Sequence, residues 1–525
     1  MALKVYINPI YNWRKSKTKL GYLFYKGEVE NFQDFEKENF DLREIINFLN
    51  QQNNHFSFIY QNNNRIIAAV DTIRSYPIFF SKTNSDFIFS NSAETIREKI
   101  NIFQPNELGL KEFQMLGYTL KSKTLIQQIS QISAGKFIDS KNYKNIQTYF
   151  SYLGRPKKKL KSTWISLLNS ELNSIFKKTV SKSKNRQILL PLSGGYDSRL
   201  ILAKLIEFNF KNVTCFSYGL KNNFETKTAR KVCKSLNLDL LELESEKLND
   251  SSLLSKKITK DYIKFATNLC SSPSLIDFYA IKYLKEKKII NKNSILINGQ
   301  SGDFITGGHI PIVDKKNLNE KKLFEIIFNK HYSLWKDLKE VNYDVMYENF
   351  KQELKNTNFK SGVKNENFFF SQHEYWEWIE RQTKWVVNGQ RVYDFFGLDW
   401  MLPLWEKSFI KFWMKVPYEL KFKQKLYKEY LQNYNYLNIF SIPKAVPIPW
   451  TGLRKLIPIL VNTFSLFDQK KKQTLYSKFY YYSTNKYLYE YFGKQNYFQM
   501  SKFSRSPQSF IAKSVLDDIK KRLKF

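Results

Sequence analysis

Between Arg186 and Phe208 the chain reads RQILLPLSGGYDSRLILAKLIEF: a strand-like run, a short turn and a helix-like run with no spacer between them. Ile188, Leu189 and Leu190 form an apolar run before the turn, and Leu200, Ile201, Leu202, Leu205 and Ile206 follow it at helical spacing. A strand that passes straight into a helix is the building unit of a parallel sheet with crossover helices. The turn, PLSGGYDSRL, has two readings. In one, Asp197 or Ser193 merely caps the helix. In the other the turn cradles the phosphates of a nucleotide. Gly194 and Gly195 let the backbone approach an anion, and the helix offers its positive end. Ser193 and Ser198 then add hydroxyl donors, and Asp197 is placed to hold Mg2+ against the phosphates. Neither a Walker loop nor a GxGxxG fingerprint is present here.

The alternation continues. VTCFSYG reads as a strand, ETKTARKVCKSL as a helix, and LDLLELE and SILINGQ as two more strands. These units predict an α/β fold with a doubly wound parallel sheet, in which ligands gather at the carboxyl ends of the strands. Residues 1 to about 150 have a different rhythm. HFSFIYQ, RIIAAVD, YPIFFSK and DFIFSNS are short apolar or aromatic strands separated by Asn-rich turns. The basic, Pro-containing GRPKKKLKS (Gly154 to Ser162) is a natural linker. The expected division is therefore 1–153, 163–450, and a basic, Tyr-rich extension over 451–525 built of amphipathic helices.

A second strand-end loop, GQSGDFITGGH (Gly299 to His309), supplies Asp303 and the pair Gly307 and Gly308. Two carboxylates on neighbouring strand-end loops can share magnesium around a triphosphate. SGGYDS followed by GQSGDFITGGH resembles the asparagine synthetase family, which carries SGGxDS and then GEGxDExxGGY. GLDWMLPLWEKSF (Gly397 to Phe409) is similar to the family's GxExRxPxLD segment, keeping Gly397 and Pro403, with Trp405 and Glu406 where that frame has Leu and Asp. VDTIRSYPIFFSKTNSDFIFSNSAETI is similar to the strand pair that closes the family's glutamine amidotransferase domain.

The resemblance implies an N-terminal Ntn-hydrolase-like α+β sandwich, then an ATP-pyrophosphatase (PP-loop) domain. It implies ATP and Mg2+ as cofactors, with Asp197 and Asp303 holding the metal and Ser193, Gly194, Gly195, Ser198, Gly299 and Gly302 around the phosphates. Phe216, Ser217 and Tyr218 end the second strand where the family places adenine. Lys444 in SIPKAVPIPW is the candidate for the family's lysine that neutralises the adenylate and pyrophosphate, with Lys425 and Lys428 as alternatives. Glu225 resembles an acidic position of the family, or is a charge at a helix start.

The departures are as informative as the matches. Glutamine-dependent members use a cysteine at position 2, where this chain has Ala2, and no cysteine precedes Cys215. An alanine cannot attack an amide, so nitrogen is expected from ammonia, another protein or an amine on the substrate. Gln300 stands where amide-forming members have Glu and ring-closing members have Tyr, and Phe304 replaces a further Glu. Asp399 and Met401 replace the family's Glu and Arg; Asp399 remains an acid for deprotonating the attacking amine, or else a helix cap. The expected reaction is adenylation of a small-molecule or glycan carboxylate and transfer to ammonia or an amine. Asp399, Lys444 and Gln300 are its catalytic candidates. A tRNA-modifying enzyme with the same loop and an inactive scaffold are the rival readings.

Composition narrows the partners. A formal charge of +36 suits an acidic partner, or it reflects general over-use of Lys, Asn, Ile, Tyr and Phe. The lysines are spread along the chain, which favours the second reading over a nucleic-acid partner. The three cysteines have no metal-type spacing, and their odd number suits a reducing cytoplasm. No run reads as a signal peptide, and LIPILVNTFSLF is too short and interrupted to span a bilayer, which leaves only association with a membrane surface open.

Overall fold

The computed structural model describes residues 2–35, 40–101, 103–142, 146–219, 223–244, 256–314, 318–355, 366–443, 504 and 506–524. The expected extension over 451–525 lies outside these residues except for 504 and 506–524.

Among the described residues ten strands precede residue 150: β1 (Ala2–Tyr6), β2 (Arg14–Lys17), β3 (Gly21–Gly27), β4 (Phe56–Asn62), β5 (Ile66–Val70), β6 (Phe79–Lys82), β7 (Asp86–Ser90), β8 (Ser130–Gln131), β9 (Lys136–Asp139) and β10 (Gln147–Thr148). They form a four-stranded sheet, β1-β7-β6-β8, and a six-stranded one, β10-β9-β5-β4-β3-β2. Alternation along β4 explains why every residue from Phe56 to Tyr60 is buried. Ile59 faces the other sheet with Ala68, Phe87, Phe89 and Ile138, while Phe58 and Tyr60 pack with Phe48 and Leu49 of helix α1 (Leu42–Gln51). An Asp41–Glu44 capping box starts α1. The four strands read from sequence are β4 to β7.

The second unit is a five-stranded, all-parallel sheet in the order β13-β12-β11-β14-β15. Its strands are β11 (Ile188–Pro191), β12 (Val213–Gly219), β13 (Leu240–Glu244), β14 (Ile295–Ile297) and β15 (Asp399–Met401). Helix α2 (Lys161–Lys182) precedes it, and α3 (Tyr196–Glu207), α4 (Phe224–Ser235) and α5 (Ile276–Glu286) cross between strands. A single turn, α6 (Gly302–Ile305), follows β14, and a π-helical stretch, Glu377–Val386, precedes β15. Beyond β15 come α7 (Lys425–Tyr434) and, near the end of the chain, α8 (Pro507–Leu523).

The two units share one continuous apolar core. Trp378 Nε1 donates to the Thr72 carbonyl at 2.8 Å and Arg391 to that of Ser75 at 2.5 Å. The segment 151–160 has no regular structure, but Arg155 N and Lys157 N donate to the carbonyls of Met414 and Lys415. Helix α8 packs across both units: Arg522 pairs with Glu94 at 2.6 Å, and Ser509 Oγ donates to the Leu334 carbonyl. Among the described residues no helix is long and apolar enough to cross a membrane.

Candidate functional site

Both motif loops leave the carboxyl ends of adjacent strands, β11 and β14, because these strands run parallel and pair directly. Leu192 N still donates to the Phe216 carbonyl, and then the chain turns through Ser193, Gly194 and Gly195 into α3. Gly195 begins this helix in extended conformation with no side-chain cap, which leaves its positive end to an anion. Ser193 Oγ accepts from Gly195 N at 3.1 Å and lies 3.2 Å from Ser198 Oγ, so the two hydroxyls are held side by side.

The second loop is cut to fit around Asp197. A Cβ on Gly299 would lie 2.8 Å from Asp197 Cβ and 3.1 Å from Ser198 N; one on Gly302 would lie 2.6 Å from Asp197 Cγ. Gly307, at φ +94°, would place a Cβ 2.4 Å from the Lys421 carbonyl oxygen. That close approach seats the turn before α7, where Gln424 Nε2 donates to Thr306 Oγ1 at 2.7 Å. One turn later Tyr427 OH donates to Asp197 Oδ1 at 2.8 Å. The two glycine-rich motifs and α7 thus interlock on one carboxylate.

Arg199, fully buried, ties down the rest of the loop. Its guanidinium donates to the Gly194 carbonyl at 2.9 Å and to the carbonyls of Ile439, Ile442 and Pro443. Burial away from any carboxylate holds its pKa below the usual arginine value. Lys444, the next residue after that segment, lies outside the described residues. Lys425 and Lys428 are exposed on α7, and Glu225 sits half-buried in the first turn of α4.

A cavity of about 400 Å³ brings together Ser193, Gly195, Asp197, Ser198, Tyr218, Gly299 and Gln300. Gly194 turns its carbonyl to Arg199, and Gly302 backs Asp197 from behind. Gln300 Oε1 accepts from Gln390 Nε2, whose own oxygen accepts from Asn298 Nδ2, so Gln300 has its amide N–H2 left for the cavity. An amide is no proton acceptor at neutral pH, and this one serves as a donor. The residues missed from sequence are Asp277, Trp385 and Tyr393, which line the same cavity, and Tyr427 and Arg199 behind it.

Three sequence expectations need correction. Asp399 lies across from Ile295 at the amino end of the sheet, because β15 runs parallel to β14. It is 72% exposed, pairs with Arg186 at 2.7 Å, and lines a separate cavity with Arg14, Lys26 and His55, so it cannot take a proton in the cavity of Ser193 and Gln300. The side chain of Phe216 is buried in the core three residues short of the strand end, and it is Tyr218, two residues on, that reaches the cavity. Ser217 points to the other face of β12, 3.2 Å from Thr226 Oγ1.

Asp303 is half-exposed, with Oδ1 accepting from Phe304 N and Oδ2 3.3 Å from His309 Nε2. Behind it stands a charged cluster that sequence spacing concealed. The fully buried Glu377 accepts from His309 at 2.9 Å and His331 at 2.8 Å, with Lys330 at 2.5 Å and His373 at 4.0 Å. Burial would pull His309 down, but hydrogen bonds to Asp303 and Glu377 outweigh it and raise it to about 9. Burial lowers His331 to about 4 and His373 to about 3.

These shifts have opposite signs for stability. Above pH 6.5 unfolded His309 has lost its proton while the folded residue keeps it, so stability falls as pH rises towards 9. Below pH 6.5 the unfolded forms of His331 and His373 bind protons that the folded forms refuse, so stability falls again towards pH 4. Melting curves are expected to peak near neutrality, and His309→Gln should remove about 3 kcal/mol of the alkaline decline while sparing the acid one. An unchanged alkaline slope would assign it to another group.

The donor set fits a magnesium nucleotide: hydroxyls and a helix end without a side-chain cap for phosphate, and the carboxylates of Asp197 and Asp303, which both act electrostatically on Tyr427.

No curated protein sequence matches the chain. Among solved structures, the NH3-dependent NAD synthetase from Campylobacter jejuni subsp. jejuni NCTC 11168, in complex with the nitrate ion, aligns at 18% identity with a TM-score of 0.20. The alignment covers 29% of this chain and 61% of that synthetase, less than two thirds of its length. The asparagine synthase profile matches residues 171–435, half of the chain, from within α2 to just past α7 and including both interlocked loops. The chain belongs to the asparagine synthase family.

Proposed function

We propose that this protein is an ATP-dependent, AMP-forming ligase that joins a carboxylate to ammonia or an amine without hydrolysing glutamine itself. The observation that carries the reading is the seating of Asp197 on Gly299 and Gly302, which joins the two loops around a single cavity at the carboxyl end of the sheet. A carboxylate oxygen of the substrate attacks the α-phosphorus of ATP, giving an acyl-adenylate and pyrophosphate. Ser193, Ser198 and the start of α3 bind the pyrophosphate, while Asp197 and Asp303 hold Mg2+, which would screen the phosphate charge. Gln300 donates its amide N–H to an oxygen that gains charge during the reaction. Lys444 is the candidate for further charge neutralisation. The neutral amine then attacks the acyl carbon, forming the amide and releasing AMP, while the proton the nitrogen loses passes to the departing phosphate or to water.

The two-sheet N-terminal unit is in this reading a degenerate amidotransferase-like scaffold of Ntn-hydrolase type. Its first strand opens with Ala2, and residues 2–153 contain no cysteine to serve as a nucleophile. The carboxylate is a small molecule or a glycan acid.

Pyrophosphate release with ATP, Mg2+ and a panel of carboxylates tests both halves of the reading. Release is expected with ammonia or an amine present, and glutamine should not replace ammonia. Equal rates with glutamine and ammonia would overturn the scaffold role of the N-terminal unit. Absence of ATP–pyrophosphate exchange with every carboxylate would overturn the ligase.

A further inference from the structure

Asp277, in the first turn of α5, lines the nucleotide-side cavity at the end of β12. Tyr218 OH donates to its Oδ1, and Tyr393 OH donates to its Oδ2 at 3.1 Å. Each carboxylate oxygen therefore retains one acceptor site, and the side chain is partly open to the cavity. Burial raises its pKa above the usual carboxylate range, and the two phenol hydrogen bonds only partly offset that. No lysine, arginine or histidine lines this cavity among the described residues, although the chain carries a formal charge of +36.

A buried carboxylate with no cation beside it among the described residues is suited to a ligand that brings hydrogen-bond donors. Without a cation between them it cannot face phosphate oxygens, because like charges repel strongly in a partly desolvated site. Phosphates also have their own place at Ser193, Ser198 and the open end of α3. Within one cavity, Asp277 then meets the uncharged part of the nucleotide. A ribose cis-diol offers two adjacent O–H donors, matching two carboxylate oxygens with one free acceptor site each. A carboxylate reading ribose hydroxyls is also how dinucleotide folds recognise that sugar.

We propose that Asp277, oriented by Tyr218 and Tyr393, binds the ribose hydroxyls of ATP and selects ribonucleotides over deoxyribonucleotides. The proposal rests on the nucleotide reading of the cavity but not on the ligase chemistry. Trp385, which lines the same cavity, supplies a flat apolar face beside the sugar for the base.

Calorimetric binding of Mg-ATP, Mg-2′-deoxyATP and Mg-3′-deoxyATP to the full chain is the test. The wild type should bind ATP at least about tenfold more tightly than either deoxy form, the worth of one to two hydrogen bonds. Asp277→Asn should weaken ATP about tenfold or more and bring the three ligands within about threefold of one another. Tyr393→Phe, which keeps the Asp277 carboxylate but removes its Tyr393 donor together with a long contact to Asn298 Nδ2, should show a smaller loss of discrimination, and circular dichroism melts would confirm that both variants fold. Equal binding of all three nucleotides by the wild type would overturn the proposal. So would unchanged discrimination in a folded Asp277→Asn variant, or a defect confined to the KM for the amine. ATP binding without pyrophosphate exchange would end the ligase reading and leave this one standing, whereas no nucleotide binding at all would end both.

Discussion

Gly307→Ala is expected to destabilise the protein by about 3 kcal/mol and to remove most of its ATP-dependent activity. Two costs combine at this position. An alanine held at φ +94° pays for a backbone conformation that L side chains rarely adopt, about 1–2 kcal/mol. The added Cβ would also meet the Lys421 carbonyl oxygen at 2.4 Å, and backbone cannot rotate away as a side-chain tip can. Relief requires the turn before α7 to retreat, which breaks the Gln424–Thr306 hydrogen bond and draws Tyr427 away from Asp197. Gly308→Ala is the control. Its nearest backbone neighbour, the Asp303 carbonyl oxygen, would be 2.8 Å from a Cβ, but its φ is not in the left-handed region, so the strain term is missing. Thermal denaturation of both variants separates the two costs. A Gly307→Ala melt indistinguishable from wild type would mean that the motif's glycine pair does not seat α7.

This interlock explains how far the sequence could be read. The strands β4 to β7 and β12 were legible because each is an apolar run bounded by turn residues, so local pattern and global burial agree. The loops around Asp197 were legible because SGGYDS and GQSGDFITGGH occur together in that order at strand ends, where either alone also reads as an ordinary turn. Tyr427 was not, being one of 33 tyrosines and 230 positions from its partner. Asp277 and the His309–Glu377 pair failed for the same reason: they meet only after the sheet has ordered its crossovers. Asp399 shows a different limit. The GxExRxPxLD frame marked the right segment, but a frame does not say which end of a strand each residue occupies, and the register with β14 puts Asp399 at the wrong one. Phe304 and Trp405, two departures from the family pattern, turn out to face each other with ring centroids 5.9 Å apart. Two substitutions that looked independent in sequence are one apolar contact, and Phe304 is buried within it.

Asp197→Asn is expected to lower ATP-dependent pyrophosphate release by about 10²–10³-fold while leaving the fold intact, the scale on which removal of one well-placed electrostatic group acts. Asparagine keeps the size of aspartate and an oxygen able to accept from Tyr427, so the contacts with Gly299, Gly302 and α7 survive. The lost feature is the negative charge, which is what a hard divalent cation requires of its few protein ligands. The defect should therefore appear as a higher Mg2+ requirement, with the melting temperature within a few degrees of wild type. Tyr427→Phe gives the complementary result, because it removes one hydrogen bond and leaves the charge. A neutral donor to a carboxylate contributes about 1.5–3 kcal/mol, so its loss should cost about 10–100-fold at most, with a smaller change in Mg2+ dependence. If Asp197→Asn retained activity within tenfold at limiting Mg2+, the metal would have to be held elsewhere. The interlock of the two loops on Asp197 would then be a packing device alone.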